Sequence, residues 1–166
     1  MFKGKTKHGV DLRETAGMPD KSTNHHLVLV ADGAGARLIQ HSGNELVILE
    51  DIPHPEGRKT SSELGTDRPG RGNDSSSGAP HSFAPEVSMH DQSEITFAKS
   101  LAGKLEHIRK QNRLTQLTLV SDSKFMGRLN PELSTPLSRL VTGRIQKNLT
   151  KMPWPELKAH LLKEIG

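Results

Sequence analysis

From Leu27 to Ile165 the apolar positions change period several times, and each change marks an element. Leu27-Val28-Leu29-Val30-Ala31 is a continuous apolar run of strand formers, the pattern of a strand covered on both faces. Asp32-Gly33-Ala34-Gly35 turns the chain, Ala36 to His41 predicts a second strand, and Ser42-Gly43-Asn44 makes a hairpin turn into a third, Glu45 to Ile52. Connections this short make the three strands antiparallel neighbours. The Gly33-x-Gly35 pair is no dinucleotide fingerprint, because β-prone Arg37-Leu38-Ile39 follows where that motif needs a helix. Ser93 to Asn112 has helical period, with Phe97, Ala98, Leu101, Ala102, Leu105 and Ile108 on one stripe. Gln116 to Val120 predicts a fourth strand, joined to the sheet by a crossover. Asp122 caps a short helix through Leu129, and Asn130-Pro131-Glu132 starts another with Pro at the first helical position. Leu140 to Gln146 is the fifth strand. Glu156 to Ile165 is the last helix, burying Leu157, Leu161, Leu162 and Ile165, with Trp154 anchoring it to the body. The order predicts an α/β fold, a mixed sheet of about five strands with helices on both faces, the three-layer pattern of an RNase H-like domain.

Two stretches stand outside this pattern. Met1 to Asn24 mixes charges with Gly and Pro without a period, and reads as a flexible basic arm before a single domain spanning residues 25–166. Pro53 to Gln92 is a long polar loop: Gly, Pro and Ser fill 17 of its 40 positions, and only Leu64, Phe83, Val87 and Met89 are sizeable apolar residues. A loop so long inside a compact domain points to function or to disorder. Its polar content makes it the expected working part, carried on a packed scaffold.

Composition sharpens this division. The net charge of +4 is uneven: residues 25–98 carry −6, whereas residues 99–166 carry thirteen basic and five acidic side chains, net +8. A basic half suits an anionic partner such as RNA, and equally suits lysines solvated on helix faces. No apolar run reaches the roughly 20 residues of a membrane span. The first 24 residues lack a signal peptide's apolar core, so a cytoplasmic location is expected. The absence of cysteine excludes disulfides and thiolate metal sites.

The loop carries the candidate chemistry. Arg58, Arg68 and Arg71 lie beside Gly57 and Gly70, an arrangement in which guanidinium forks and close backbone amides can hold phosphate or carboxylate. Asp67 could instead pair with Arg68 and pin the loop to the sheet. His54, His81, His90, Glu56 and Asp91 are nitrogen and oxygen donors, but their spacings match no local metal-ligand pattern. Asp32, Asp51 and Asp122 fall at strand ends, where an RNase H-like sheet can hold two Mg²⁺ ions for phosphodiester cleavage. Each also has a structural reading as a turn, strand-exit or cap residue. Ser75-Ser76-Ser77 has no base at motif spacing, and Asn148-Leu149-Thr150 is a glycosylation triplet without an export signal.

The ordered set Val30-Ala31-Asp32-Gly33-Ala34, His54-Pro55-Glu56-Gly57-Arg58, Ser62-Glu63-Leu64, Asp67-Arg68-Pro69-Gly70-Arg71 and Phe97-Ala98 resembles the bacterial host attachment protein family over roughly residues 26–165. That family is named for a proposed role in attachment to host cells, and is similar to the middle domain of archaeal and eukaryotic class-one release factors and Pelota. In release factors a Gly-Gly-Gln loop enters the ribosomal peptidyl-transferase centre, and the matching stretch here is His90-Asp91-Gln92-Ser93. His90 and Asp91 replace both glycines, which removes backbone freedom and adds negative charge, so peptidyl-tRNA hydrolysis is not expected. The resemblance implies a non-catalytic module that contacts RNA or the ribosome, without a cofactor, through Arg58, Asp67, Arg68, Gly70, Arg71, His90 and Gln92. An interaction protein supporting surface attachment and a metal-dependent nuclease, with His54, His81, His90, Asp32 and Asp122 as candidate ligands, are the alternative expectations.

Overall fold

The computed structural model describes residues 25–58 and 87–166. The expected arm, residues 1–24, lies outside them. Five strands form one sheet: β1 (His26–Asp32), β2 (Gly35–Ser42), β3 (Glu45–Pro53), β4 (Gln116–Ser121) and β5 (Val141–Gln146). Among the described residues, four α-helices accompany them: α1 (Met89–Lys110), α2 (Ser123–Leu129), α3 (Thr135–Arg139) and α4 (Trp154–Ile165). The spatial order is β3-β2-β1-β4-β5. The first three strands form the expected antiparallel meander, and β4 and β5 add in parallel beyond β1. Helix α1 provides the crossover between β3 and β4.

The apolar run of β1 explains its central place. Leu27, Leu29 and Ala31 face one side and pack with Phe97, Leu101 and Leu105 of α1 and with Phe125, Leu129 and Leu137 beyond. Val28 and Val30 face the other side, against Leu149 and against Leu157 and Leu161 of α4. Side chains alternate across a strand, so one continuous apolar sequence supplies both cores. On β3, Glu50 pairs with Leu38 and Ile48 with Ile39, leaving Leu49 as an extra residue. This bulge lets Leu46 and Ile48 face α4 while Leu49 and Ile52 pack on the α1 side. Trp154 is half-buried against the α4 core, as its position predicted.

Several boundaries differ from the sequence expectation, among them the start of the last helix, which opens at Trp154 rather than Glu156. Helix α1 begins at Met89 rather than Ser93, because Ser88 caps it: its Oγ accepts from the Asp91 amide at 3.0 Å and donates to Asp91 Oδ2 at 2.8 Å. Asn130–Glu132 closes as a 3₁₀ turn, and the α-helix begins after Ser134, whose Oγ accepts from the Leu137 amide. Of the expected polar loop, residues 53–92, the ends are structured: Pro53 belongs to β3, Pro55–Arg58 winds into a 3₁₀ turn and Met89 opens α1, while residues 59–86 lie outside the described residues. Among the described residues, no helix is long and apolar enough to cross a membrane.

Candidate functional site

The excursion expected from the sequence begins beyond Arg58 and ends before Val87, and the described residues at both of its feet are held at the C-terminal end of β1. His54 is the tie on the outgoing side. Its amide donates to the Ala34 carbonyl at 3.0 Å, its Nδ1 donates to the Gly33 carbonyl at 2.7 Å, and its Nε2 accepts from Ser93 Oγ of α1 at 3.1 Å. The imidazole lies flat on the Phe97 ring, with centroids 4.4 Å apart and planes inclined by 3°. One histidine thus joins the β1–β2 turn, the end of β3 and the first turns of α1. Glycines make the approach possible. A Cβ at Gly57 would overlap the Gly33 carbonyl oxygen, and a Cβ at Gly33 would overlap the carboxylate of Glu94.

The returning side is held by charge. Arg128 of α2 bridges Asp91 and Glu94, and Lys124 lies 3.4 and 3.6 Å from the same two carboxylates. Glu94 is buried, and its other oxygen meets His90 Nε2 at 3.0 Å. The Arg128 guanidinium, followed by the Ser88 hydroxyl, holds the Asp91 carboxyl well below the usual carboxylate range. The network fixes the start of α1 against α2 and keeps the Asp91 carboxylate ionised at neutral pH.

Beside the feet opens a cleft of about 730 Å³, lined by residues that include Asp32, Arg37, Asp51, Arg58, Thr150 and Lys151. Both carboxylates have partners within the fold. Asp32 Oδ1 accepts from the amides of Ala34 and Gly35 at 2.8 and 3.0 Å, and Oδ2 accepts from the Thr150 hydroxyl. Asp51 accepts from Arg37 Nε at 2.7 Å. The cations are less satisfied. Arg37 Nη1 is enclosed without an acceptor, and Arg58 and Lys151 are exposed and make no ion pair among the described residues. Ligands of α/β sheets gather outside the C-terminal ends of parallel strands, which is where this cleft meets β1.

A sequence profile for the family described as "Protein required for attachment to host cells" matches residues 27–161, from the start of β1 into α4. The chain belongs to that family. Two solved structures share similarity with this host-attachment domain. An archaeal protein aligns at 11% identity with a TM-score of 0.42, over 85% of this chain and 41% of its own. The archaeal translation termination factor aRF1 aligns at 10% identity with a TM-score of 0.43, over 85% and 42%. The domain therefore spans less than half the length of either structure. Among curated proteins, none matches the sequence.

Within the host-attachment domain the sequence-predicted residues separate into groups. Asp67, Arg68, Gly70, Arg71 and His81 lie outside the described residues. Arg58 lines the cleft. His90 and Gln92, expected at a loop tip, instead occupy the first turn of α1, because the Ser88 cap starts the helix before them. Asp32 closes a turn, Asp51 pairs with Arg37, and Asp122 caps α2 by accepting from the Phe125 amide at 3.0 Å. His54 spends both ring nitrogens on the scaffold. Among the described residues, no three His, Asp or Glu side chains gather as metal ligands do. Sequence reasoning missed Arg37, Lys151, Glu94 and Arg128. The Ser88-x-x-Asp91 spacing would have revealed the earlier helix start. No local pattern marks Lys151, which reaches the cleft only because β5 delivers it there.

Proposed function

We propose that this host-attachment family domain is a non-catalytic, cytoplasmic binding module that grips the phosphate backbone of RNA, free or on the ribosome. It does so with the arginines of the excursion and with the basic second half of the chain. One observation carries the reading: the positive charge of that half outlasts its internal pairing. Lys104, Arg109, Lys124, Arg128 and Lys147 are tied to carboxylates, yet Lys99, Lys110, Arg139, Lys151 and Lys163 remain exposed without an ion pair among the described residues. Cations free in this way release counterions when they meet phosphates, which is the main source of non-specific affinity for nucleic acid. Arg68 and Arg71, which belong to the family-defining block, add the two-pronged contacts. Co-sedimentation with ribosomes in low salt tests this. The wild-type protein should pellet with them and an Arg68→Ala/Arg71→Ala variant should remain largely in the supernatant; no association at any salt would end the proposal.

The family's description favours a second reading, an interaction protein supporting attachment to host cells. It requires the protein to fractionate with the cell envelope or with a membrane-bound partner, which the module proposed above would not do.

A further inference from the structure

The cleft at the end of β1 holds more donors than the fold consumes. Asp32 is used internally by two amides and a hydroxyl, and Asp51 gives Oδ1 to Arg37 while the rest of its side chain stays exposed. Arg37 gives only Nε to Asp51, and its enclosed Nη1 lacks an acceptor, an arrangement that native proteins seldom leave incomplete. Arg58 enters the same cleft from the 3₁₀ turn and Lys151 from the segment after β5, each without a carboxylate partner among the described residues. Among the described residues, three cations from three separate elements therefore face a space lined by two carboxylates.

We infer that this cleft is an oxyanion site that takes the phosphate ester of a nucleotide, with Arg37, Arg58 and Lys151 donating to the phosphoryl oxygens. The inference rests on the RNA-binding reading and assigns it a specific subsite. Two guanidinium forks and an ammonium suit a tetrahedral oxyanion, whose oxygens can each accept from a different donor. A volume of about 730 Å³ exceeds what one inorganic ion fills and falls in the range of small-molecule sites, so the phosphate arrives attached to something. Among the described residues, the lining holds no Phe, Tyr or Trp on which a base could stack, so the site proposed here reads the sugar-phosphate portion. A free nucleotide and an RNA strand present the same chemistry, and experiment can separate them.

The protein contains a single tryptophan, Trp154, three residues beyond Lys151, which makes its fluorescence a reporter of binding beside calorimetry. Adenosine 5′-monophosphate and adenosine would be titrated into the full chain in low salt. The same would be done with an Arg58→Ala/Lys151→Ala variant whose circular dichroism and melting match the wild type; both residues are exposed, so folding should be retained. The monophosphate should bind and adenosine should not. The variant should lose about tenfold or more in affinity, the scale of one charge-assisted contact. Equal binding of the two compounds, or an unaffected variant, would overturn the site. Short single-stranded RNAs with and without a 5′ phosphate then identify the source. A preference for the phosphorylated end assigns the cleft to a terminus, and equal affinities that both fall in the variant assign it to the backbone. If the cleft variant binds RNA normally while Arg68→Ala/Arg71→Ala does not, the subsite is refuted and the RNA reading survives. If the monophosphate binds but RNA does not, the reverse holds.

Discussion

Gly57 shows how little freedom single positions have around the feet of the excursion. A methyl group there would meet the Gly33 carbonyl oxygen and His54 Nδ1, the two atoms whose hydrogen bond ties the β1–β2 turn to His54. Backbone cannot step aside as a flexible side chain can. Gly57→Ala should therefore destabilise the fold by about 1–3 kcal/mol, towards the upper end, as measured by chemical denaturation. Gly103 is the control. It lies exposed inside α1 with open space where a Cβ would go, so Gly103→Ala should stabilise by about 0.5–1 kcal/mol. Equal effects of the two substitutions would mean that the contact at Gly57 is not tight. The same scale explains why functional residues were hard to read from sequence. Asp32, Asp51 and Asp122 sit where catalytic carboxylates could sit, and what sets them to structural work is the amide, hydroxyl or guanidinium that each one meets in space.

At the scale of elements, the apolar periods of β1 to β5 and of the long and last helices were legible, because burial on one or two faces leaves a period in the chain. Helix starts were less so. Met89 and His90 belong to α1 because Ser88 Oγ accepts from the Asp91 amide, and Asn130 opens a 3₁₀ turn rather than an α-helix because the cap lies at Ser134. The strand ends also carry a pH response. At the start of β1, His26 donates or accepts with His41 at 2.9 Å and with Thr118 at 2.8 Å, and its pKa lies below 6.5, first through burial and then through His41. A depressed folded pKa means that the unfolded chain takes up the proton first. Stability from this site is present above pH 6.5 and is lost as the pH falls through the folded value. Melting temperatures should thus decline on acidification from neutrality, and His41→Gln should flatten the slope. Glu106 acts in a separate, more acidic window. Arg109, then Ser134, hold it down to about 2, so its contribution is present above 4.5 and fades only as the pH falls towards that folded value. A melting temperature that stays level between neutral pH and the carboxylate range would contradict the histidine account.

The whole molecule is a mixed α/β scaffold whose two cores share β1 and whose C-terminal β1 end gathers the turn, the feet of the excursion and a cationic cleft. Family membership was readable from ordered blocks of residues, and those among the described residues build this junction: Asp32-Gly33-Ala34 makes the turn, His54 to Arg58 the outgoing foot, and Phe97 the surface on which His54 rests. The cleft was not readable, since Arg37, Arg58 and Lys151 come from elements far apart in sequence and only the strand order brings them together. The central claim is that the surplus positive charge of this surface serves to hold phosphates. It is tested most directly by measuring the affinity for a labelled single-stranded RNA across a salt series. The account predicts that the logarithm of the binding constant falls linearly with the logarithm of salt concentration, with a shallower slope after Arg68→Ala/Arg71→Ala. An absence of binding in low salt, or an affinity indifferent to salt, would contradict it.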